Sequence, residues 1–258
     1  MGRLVGKVAI ITGGEGSIGM ATARALIAEG ASVFLAGISE PGLKAGAAEL
    51  GAQAAWQVTD VTDSAQVKAA VDAAVERFGR LDVVIANAGI SVGVDTAIEA
   101  DLDVIRATLE TNLLGVAATF QPFVEPMRTR RSGRLVGIAS VAGIRGLPGH
   151  AAYSLSKAGV ISYCESLRLE CKPFGVRVVT IAPGYIDTPL TQGNSYSMPF
   201  LMPVDKFASQ ALDAIAAGVS FRVIPWQMGM VARLLRILPD WLYDPILAGR
   251  PRKKRQGQ

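Results

Sequence analysis

The stretch Thr12-Gly13-Gly14-Glu15-Gly16-Ser17-Ile18-Gly19 follows a short apolar run and precedes a helical pattern that stops at Gly30. Counted from Gly14, it fits G-x-G-x-x-G, the fingerprint of a dinucleotide-binding loop between a strand and a helix. Counted from Thr12, it fits T-G-x-x-x-G-x-G, with Ser17 where a glycine would stand. Backbone N–H groups at the start of a helix suit a pyrophosphate in either reading. A tight turn that binds no ligand is the alternative.

Apolar runs and amphipathic stretches alternate along the chain on both sides of this loop. The runs predict strands at 7–11, 32–36, 54–58, 82–86, 134–140, 176–182 and 221–226. The amphipathic stretches predict helices at 18–29, 41–50, 64–78, 98–111, 113–129, 151–172 and 208–217. Strands that are apolar throughout and alternate with helices indicate a parallel sheet covered on both faces. We therefore predict an α/β fold, a single doubly wound, Rossmann-type domain over 1–226.

Composition narrows the classes of protein. Half of the 258 residues are hydrophobic, but no apolar run reaches the roughly 18 residues that span a bilayer. The chain has no signal-peptide pattern, and Cys164 and Cys171 form no C-x-x-C, so we expect a reduced, cytoplasmic protein. The net charge of +4 is smaller than the charge of the basic tail, whose five cations are Arg250, Arg252, Lys253, Lys254 and Arg255. The body is therefore slightly acidic, and we expect no nucleic-acid partner.

Tyr153 and Lys157 in "YSLSK" are four residues apart in a helical stretch and so share one face. A tyrosine hydroxyl has a pKa near ~10, and a nearby ammonium group favours its ionised form. Such a tyrosine can exchange a proton with a substrate oxygen. An ordinary surface pair is the alternative for these two residues taken alone.

Polar and glycine motifs follow several predicted strands. Asp60-Val61 follows the third strand, Asn87-Ala88-Gly89 the fourth, Ser140 closes the fifth, and Pro183-Gly184 follows the sixth. Ligands of open parallel sheets bind at the carboxyl ends of the strands. The sequence thus gathers these motifs, the glycine loop and Tyr153 at one edge of the sheet.

With these motifs in this order, the chain resembles the short-chain dehydrogenase/reductase family from the first strand to about residue 190. The family pattern is T-G-x-x-x-G-x-G, N-A-G, a serine, Y-x-x-x-K and P-G. The resemblance implies an NAD(P)-dependent enzyme that interconverts a carbonyl and an alcohol by hydride transfer. A catalytically silent NAD(P)-binding sensor, or a membrane-associated scaffold, is the alternative. The presence of all the catalytic residues argues against it, because a protein without turnover need not keep them.

The resemblance also implies roles for single residues. Tyr153 would be the general acid/base, Lys157 would lower the pKa of Tyr153, Ser140 would orient the substrate oxygen, and Asn112 would support a proton relay. The expected cofactor-binding residues are these: Gly13, Gly16, Ser17, Ile18, Gly19, Gly37, Ser39, Asp60, Val61, Asn87, Ala88, Gly89, Tyr153, Lys157, Pro183, Gly184, Ile186 and Thr188.

The end of the second strand bears on the choice of cofactor. An acidic residue there would accept a hydrogen bond from the ribose 2′-hydroxyl of NAD, but this chain has Gly37. Glu40 comes three residues later, in the expected first turn of the next helix. The missing acid removes a repulsion against a 2′-phosphate, to which Ser39 can donate. The sequence therefore favours NADP, with NAD as the alternative.

The segment 187–203 follows the sixth strand, and we expect it to cover the cleft as a lid. Its flexible apolar side chains predict a hydrophobic small-molecule substrate; they are Leu190, Met198, Phe200, Leu201 and Met202. Packing of these side chains on the body is the alternative. His150 is the single histidine and fits a helix start or a substrate loop. With no cluster of histidine and cysteine, we expect no metal site.

Residues 227–258 differ in character from the rest and form a predicted amphipathic extension. Met230, Val231, Leu234, Leu235 and Leu238 follow a helical stripe, with aromatic residues around it and the basic tail beyond. This combination fits a segment that lies at a membrane surface. Packing on the enzyme's own core or on a second subunit is the alternative, and we expect a homo-oligomer, a dimer or tetramer.

Overall fold

The computed structural model describes residues 2–192, 197–249, 252, 253 and 255. The strands within these ranges are β1 Val8–Thr12, β2 Ser32–Gly37, β3 Ala54–Val58, β4 Val83–Ala86, β5 Gly133–Ile138, β6 Val176–Pro183 and β7 Phe221–Ile224. The helices are α1 Ser17–Ala28, α2 Glu40–Leu50, α3 Ser64–Phe78, α4 Asp101–Leu109, α5 Gly115–Thr129, α6 Ala151–Cys171, α7 Pro189–Gln192, α8 Val204–Ala217, α9 Trp226–Ile237 and α10 Asp240–Leu247.

The strands form one sheet in the order β3-β2-β1-β4-β5-β6-β7, and every neighbouring pair is parallel. This confirms the predicted α/β class and doubly wound arrangement. The chain places β2 and β3 on one side of β1 and the later strands on the other. The direction of strand addition therefore reverses between β1 and β4, and such a reversal opens a crevice at the carboxyl ends of the two strands.

Alternate residues of the strands point into two separate hydrophobic cores. Ile11 of β1 belongs to the core that packs against α1, α2 and α8, where Phe207 is fully buried. Ile10 of the same strand belongs to the core against α3, α5 and α6, where Phe120 is fully buried. Both faces of the sheet are thus covered, which explains strands that are apolar at nearly every position.

Local sequence signals set several of the element boundaries. Asp63 caps α3, because its carboxylate accepts hydrogen bonds from the backbone N–H groups of Ala65 and Gln66. Gly79 ends the same helix in a left-handed conformation, with φ 80°. These boundaries agree with the prediction, whereas the last strand stops at Ile224, two residues before its predicted end.

The two helices predicted on either side of Asn112 form one continuous helical path. A five-residue π-helical turn, Glu110–Leu114, joins α4 to α5. A π turn adds a residue to the helix and shifts the side-chain directions that follow, and such turns are frequent at functional sites. In the sequence, this shift of side-chain direction interrupts the apolar periodicity, which is why two separate helices were predicted.

The C-terminal helices pack on the body, and the residues that α9 buries are not those of the apolar stripe noted in the sequence. The buried residues of α9 include Met228 and Ala232, whereas Met230 and Leu234 of the predicted stripe are 61% and 58% exposed. Two of the five stripe residues therefore face outward, and the other three, Val231, Leu235 and Leu238, are half-buried. Arg145 holds the two helices to the body: its guanidinium donates to the carbonyls of Leu235 and Leu238 and lies 3.6 Å above the ring of Tyr243.

Candidate active site

The glycine loop between β1 and α1 is shaped by close backbone contacts. Gly13 has φ +60°, and a Cβ added there would lie 2.9 Å from the Cα of Ala88. A Cβ at Gly19 would lie 2.4 Å from the carbonyl oxygen of Gly13. Both positions need glycine, as the reading from Thr12 predicts. Gly14 is also confined, because its Cβ would lie 3.0 Å from Leu35. The reading from Thr12 treats Gly14 as variable.

Thr12 and Asn87 tie the ends of β1 and β4 together across the crevice. The amide of Asn87 donates to the carbonyl oxygens of Thr12 and Gly13, both at 3.0 Å. The hydroxyl of Thr12 accepts from the backbone N–H groups of Asn87 at 3.1 Å and Ala88 at 3.2 Å. The threonine and the asparagine of the two motifs therefore position the glycine loop.

A cleft of about 610 Å³ opens along this edge of the sheet. Nearly all the residues predicted to bind the cofactor line it: Gly13, Gly16, Ser17, Ile18, Gly37, Asp60, Val61, Asn87, Ala88, Gly89, Tyr153, Lys157, Pro183, Gly184, Ile186 and Thr188. The cleft also includes residues that the sequence did not single out: Glu15, Ile38, Thr59, Thr62, Ile90 and Thr111.

Two residues predicted to bind the cofactor do not line the cleft. Gly19 is buried within α1, where its lack of a side chain lets the helix pack on Gly13. Ser39 caps α2, because its hydroxyl accepts from the backbone N–H of Gly42 at 3.3 Å. Serine is one of the residues preferred at the start of a helix, where its side-chain oxygen accepts from the backbone. This bond leaves the hydroxyl proton available for donation, so the expectation that Ser39 meets a 2′-phosphate stays a prediction.

Glu15 fills the space beside Gly37. One carboxylate oxygen of Glu15 accepts from the backbone N–H groups of Ile38 at 2.9 Å and Ser39 at 3.1 Å. The other oxygen is buried and has no hydrogen-bond partner in the described part of the chain. A Cβ at Gly37 would lie 1.8 Å from that second oxygen. An acid is thus present at the end of β2, but the glycine loop supplies it.

Ser140, Tyr153 and Lys157 lie together where the cleft meets a second cavity of about 360 Å³. The hydroxyls of Ser140 and Tyr153 are hydrogen-bonded. Lys157 is buried; its ammonium donates to the carbonyl of Ile138 at 2.9 Å and lies 5.7 Å from the centre of the Tyr153 ring. The predicted triplet is therefore assembled at the junction of the two cavities.

The surroundings shift the pKa values of Tyr153 and Lys157. Burial raises the pKa of Tyr153 above 10, and its hydrogen bond with Ser140 opposes the rise. Burial lowers the pKa of Lys157 to about 8, so the ammonium form still predominates at neutral pH. The net effect on Tyr153 is opposite to the lowering that the Tyr–Lys spacing led us to expect. The tyrosine is consequently a proton donor at neutral pH.

Asn112 lies in the π-helical turn and is fully buried. Its side chain accepts from the backbone N–H of Ile90 and donates to the carbonyl of Ile90, each at 2.8 Å. It also donates to the hydroxyl of Ser156 at 3.1 Å. Asn112 therefore fixes the segment after Gly89 against α6, close to Lys157, and does not itself line the cleft.

The second cavity has mostly apolar walls that come from distant parts of the chain. Val141, Leu147, Pro148, Leu190, Pro199 and Leu247 contribute the apolar surface. His150 also lines it; burial lowers the pKa of this residue, and its Nδ1 lies 3.1 Å from the carbonyl oxygen of Pro148. Leu247 and Lys253 were not predicted here, because nothing local in the sequence places the C-terminus at the cavity.

Only part of the predicted lid lines this cavity. Leu190 does so, whereas Met202 is buried in the core and pairs with Ile186 through a backbone bridge. Phe200 and Leu201 are 50% and 45% exposed. The alternative, packing of the lid residues on the body, therefore holds for Met202. Residues 193–196 lie outside the described part of the chain.

Three cations of the basic tail contact the body. Arg255 donates to both carboxylate oxygens of the buried Asp101 at 2.8 Å, and Arg252 lies 3.7 Å from Asp95. Lys253 donates to the hydroxyl of Ser91 at 2.7 Å. These contacts turn the tail toward the cavity. Arg250 and Lys254 lie outside the described residues.

The described ranges contain neither a candidate metal site nor a candidate membrane-spanning helix. No group of three or more His, Cys, Asp or Glu residues is arranged there to hold a metal ion. None of the helices in those ranges combines the length and the apolar character that a bilayer crossing requires.

Comparison with known proteins places this geometry in a family. The family model for short chain dehydrogenase matches residues 7–198. An uncharacterized oxidoreductase of Myxococcus xanthus is 37% identical over 251 residues, covering 95% of this chain and 97% of the relative. The chain belongs to the short-chain dehydrogenase family.

Two further members are informative. A 3-alpha-(or 20-beta)-hydroxysteroid dehydrogenase of Mycobacterium bovis is 40% identical over 190 residues, or 74% of this chain and 73% of the relative. The structure of a 3-ketoacyl-(acyl-carrier-protein) reductase from Brucella melitensis with NADH has a TM-score of 0.79 and 27% identity, covering 86% of this chain and 97% of that one. This short-chain dehydrogenase is therefore an enzyme, an NAD(P)-dependent oxidoreductase of small-molecule carbonyls and alcohols.

The environment of Tyr153 can be tested without a substrate. We expect the Tyr153 phenol to ionise above pH 10, and Ser140→Ala to raise its pKa further by removing the hydrogen bond that opposes the effect of burial. The measurement is an ultraviolet titration of phenolate, with Tyr153→Phe subtracted as the reference. A midpoint below 10 in the unsubstituted protein, or a fall in Ser140→Ala, contradicts this account.

Proposed function

We propose that this enzyme transfers hydride between a nicotinamide cofactor and an apolar carbonyl or alcohol, with Tyr153 as general acid/base. The observation that carries the proposal is the junction of two cavities at Ser140 and Tyr153. The larger cleft runs along the glycine loop and the strand ends, as a dinucleotide requires. The smaller cavity leaves room for a substrate whose oxygen meets the two hydroxyls.

The cleft has the features that NAD(P) needs. A Cβ at Gly13 would meet Ala88, so the backbone is bare where a pyrophosphate must approach closely. Gly16 precedes α1 without a side-chain cap, so the helix start is left for a ligand. When bound, the nicotinamide supplies or accepts the hydride.

The proton chemistry falls to the residues at the junction. In reduction, Tyr153 donates its proton to the oxygen that becomes the alcohol, and its raised pKa keeps that proton in place at neutral pH. Ser140 donates to the same oxygen and stabilises its developing negative charge. Lys157, still an ammonium at pH 7, stabilises the phenolate that remains.

The walls of the smaller cavity favour a substrate with an apolar body. Leu147, Leu190 and Leu247 face it from three separate segments. An apolar pocket with a few convergent polar groups is the usual form of a small-molecule site. The hydroxysteroid dehydrogenase among the relatives is consistent with a cyclic, apolar substrate for this enzyme as well.

We infer a preference for NAD over NADP, the reverse of the sequence-based preference. The carboxylate of Glu15 lines the cleft beside Gly37 at the end of β2, where an acid of this fold accepts a hydrogen bond from a ribose 2′-hydroxyl. A 2′-phosphate at that place would meet a carboxylate already fixed by two backbone N–H groups. Like charges held so close are strongly repulsive.

We also propose that the outer face of α9 and α10 contacts a membrane surface. Five large apolar side chains there are more than half exposed: Trp226, Met230, Leu234, Ile237 and Trp241. Arg233 and Arg236 are exposed on the same helix. Aromatic and aliphatic side chains beside arginines are typical of interfacial helices. The basic tail contributes little to this face, because three of its cations contact the body.

The acid/base role of Tyr153 predicts a large loss of turnover in Tyr153→Phe, about 100-fold or more. The measurement is the change in cofactor absorbance with a panel of apolar ketones and alcohols. Tyr163→Phe on the same helix is the matched control and is expected to keep its rate. Equal rates for Tyr153→Phe and the unsubstituted enzyme would refute the assignment.

The role of Glu15 predicts that NADH binds at least about tenfold more tightly than NADPH, a difference of about 1.4 kcal/mol. Glu15→Gln removes the charge and is expected to narrow that ratio, mainly through tighter NADPH binding. The measurement is a titration by calorimetry, which needs no turnover. Glu76→Gln on the exposed face of α3 is the control. Tighter binding of NADPH by the unsubstituted protein rules out the inference.

The membrane proposal predicts that the protein sediments with vesicles of anionic phospholipid. Ile237→Glu, at a side chain that is 77% exposed, is expected to abolish this sedimentation while leaving enzymatic turnover unchanged. Lys206→Gln on α8, which also lowers the net charge by one, is the control for the change of charge. Absence of binding in the unsubstituted protein rejects the proposal. If Ile237→Glu instead lowers the molar mass in analytical ultracentrifugation, the face belongs to a contact between copies.

A further inference from the structure

The tail brings a positive charge to the wall of the substrate cavity. Lys253 lines that cavity together with Ser140, Tyr153 and Leu247. Its ammonium donates to the hydroxyl of Ser91 at 2.7 Å. Ser91 lies in the segment after β4 and is itself part of the cavity wall. The same cavity that ends at the two hydroxyls therefore also contains a cation.

The position of Lys253 is fixed by contacts on either side of it. Arg255 forms two hydrogen bonds of 2.8 Å with Asp101, which is only 5% exposed and also accepts from the backbone N–H of Asp95 at 2.6 Å. The backbone of Arg255 pairs with Gly93. Arg252, on the other side, lies 3.7 Å from Asp95. The tail is thus held at the cavity by ion pairs that do not involve Lys253.

Lys253 differs from these two arginines in its partner, which is a hydroxyl and not a carboxylate. Each arginine has a carboxylate within 4.0 Å, whereas no carboxylate of the described residues lies that close to the Lys253 ammonium. Much of the surrounding wall is apolar, and burial lowers the pKa of Lys253. A partly desolvated cation without a counter-charge is costly, and an anionic ligand would remove that cost.

His150 faces the same cavity and does not compete for such a ligand. Burial and the charge of Lys253 both lower its pKa, which favours the neutral imidazole at pH 7. Arg145, in the same loop, is engaged with Asp240 at 2.7 Å and with carbonyls of the C-terminal helices. Among the described residues that line this cavity, Lys253 is therefore the one that carries a positive charge. It does not line the cofactor cleft.

We propose that Lys253 binds a carboxylate of the substrate, so that the natural substrate is an oxo acid or hydroxy acid with an apolar body. Its carbonyl or hydroxyl carbon would lie at Ser140 and Tyr153, and its apolar part would lie along Leu147, Leu190 and Leu247. This inference rests on the proposed function for the reacting end of the substrate. It adds the chemical class of the other end.

The test compares acids with their neutral esters. The probes are levulinate, longer oxo acids and oxocyclohexanecarboxylate, each beside its methyl ester, and the enzyme is saturated with reduced cofactor. Affinity is measured by calorimetry and turnover by cofactor absorbance, in the unsubstituted enzyme, Lys253→Gln and Lys253→Arg. Lys206→Gln, an exposed lysine of α8, is the control for loss of a positive charge.

We expect at least one acid to bind about tenfold or more tightly than its ester, and Lys253→Gln to remove that difference while the ester is unaffected. Lys253→Arg should retain part of the difference. Equal binding of every acid and its ester, or no binding of any acid, overturns the proposal. An equal loss for acid and ester in Lys253→Gln also overturns it, because the lysine would then only support the tail.

The two proposals fail in different ways. If acids bind through Lys253 but no probe is reduced, the anion site stands and the proposed hydride transfer to this class does not. If esters and acids are reduced alike through Tyr153 and Lys253→Gln changes neither, the proposed function stands and the carboxylate site is rejected.

Discussion

The reversal of strand order between β1 and β4 is the constraint on which the site depends. It opens the sheet edge, and the hydrogen bonds between Thr12 and Asn87 hold the two strand ends at a fixed separation. Position 13 needs glycine on two counts, because Ala88 leaves no room for a side chain there and the backbone is left-handed. The glycine loop, the helix start behind it and the junction at Tyr153 are thus arranged around one crevice, so a ligand meets a site that is already formed.

The sequence predicted those features of the fold that depend on residues close together in the chain, such as helix bounds and strand ends. The bounds of α3 follow from Asp63 and Gly79, and the strand-end motifs reach the crevice because all parallel strands end at one edge. The π-helical turn at Asn112 was read as a gap between helices, because one inserted residue breaks the periodic pattern in the same way as a loop. Glu15 and Lys253 were missed for another reason: their partners Ile38 and Ser91 are 23 and 162 residues away along the chain.

Burial is the largest influence on the pKa values of Tyr153 and Lys157, ahead of the groups that they contact. Lys157 has a lowered pKa of about 8 while its ammonium bonds to a backbone carbonyl, and Tyr153 has a raised pKa although a lysine lies one turn away. Both shifts favour the neutral forms, as desolvation does. A bound nicotinamide cofactor and substrate would change that balance by replacing water and adding their own dipoles. At neutral pH the raised pKa of Tyr153 keeps the proton on the phenol.

The C-terminal segment contributes both to an exposed apolar face and to the wall of the second cavity. The outer face of α9 and α10 exposes Trp226, Ile237 and Trp241, while Leu247 and Lys253 reach the substrate cavity. Arg145 belongs to the loop between Ser140 and Tyr153. Its guanidinium donates to the carbonyl of Leu238, which lies between α9 and α10, and to the carboxylate of Asp240, the first residue of α10. Tyr243 of α10 adds a second link, because its hydroxyl donates to the carbonyl of Gly146 in the same loop. The loop that carries Leu147 and His150 is therefore bonded to the C-terminal helices at more than one point.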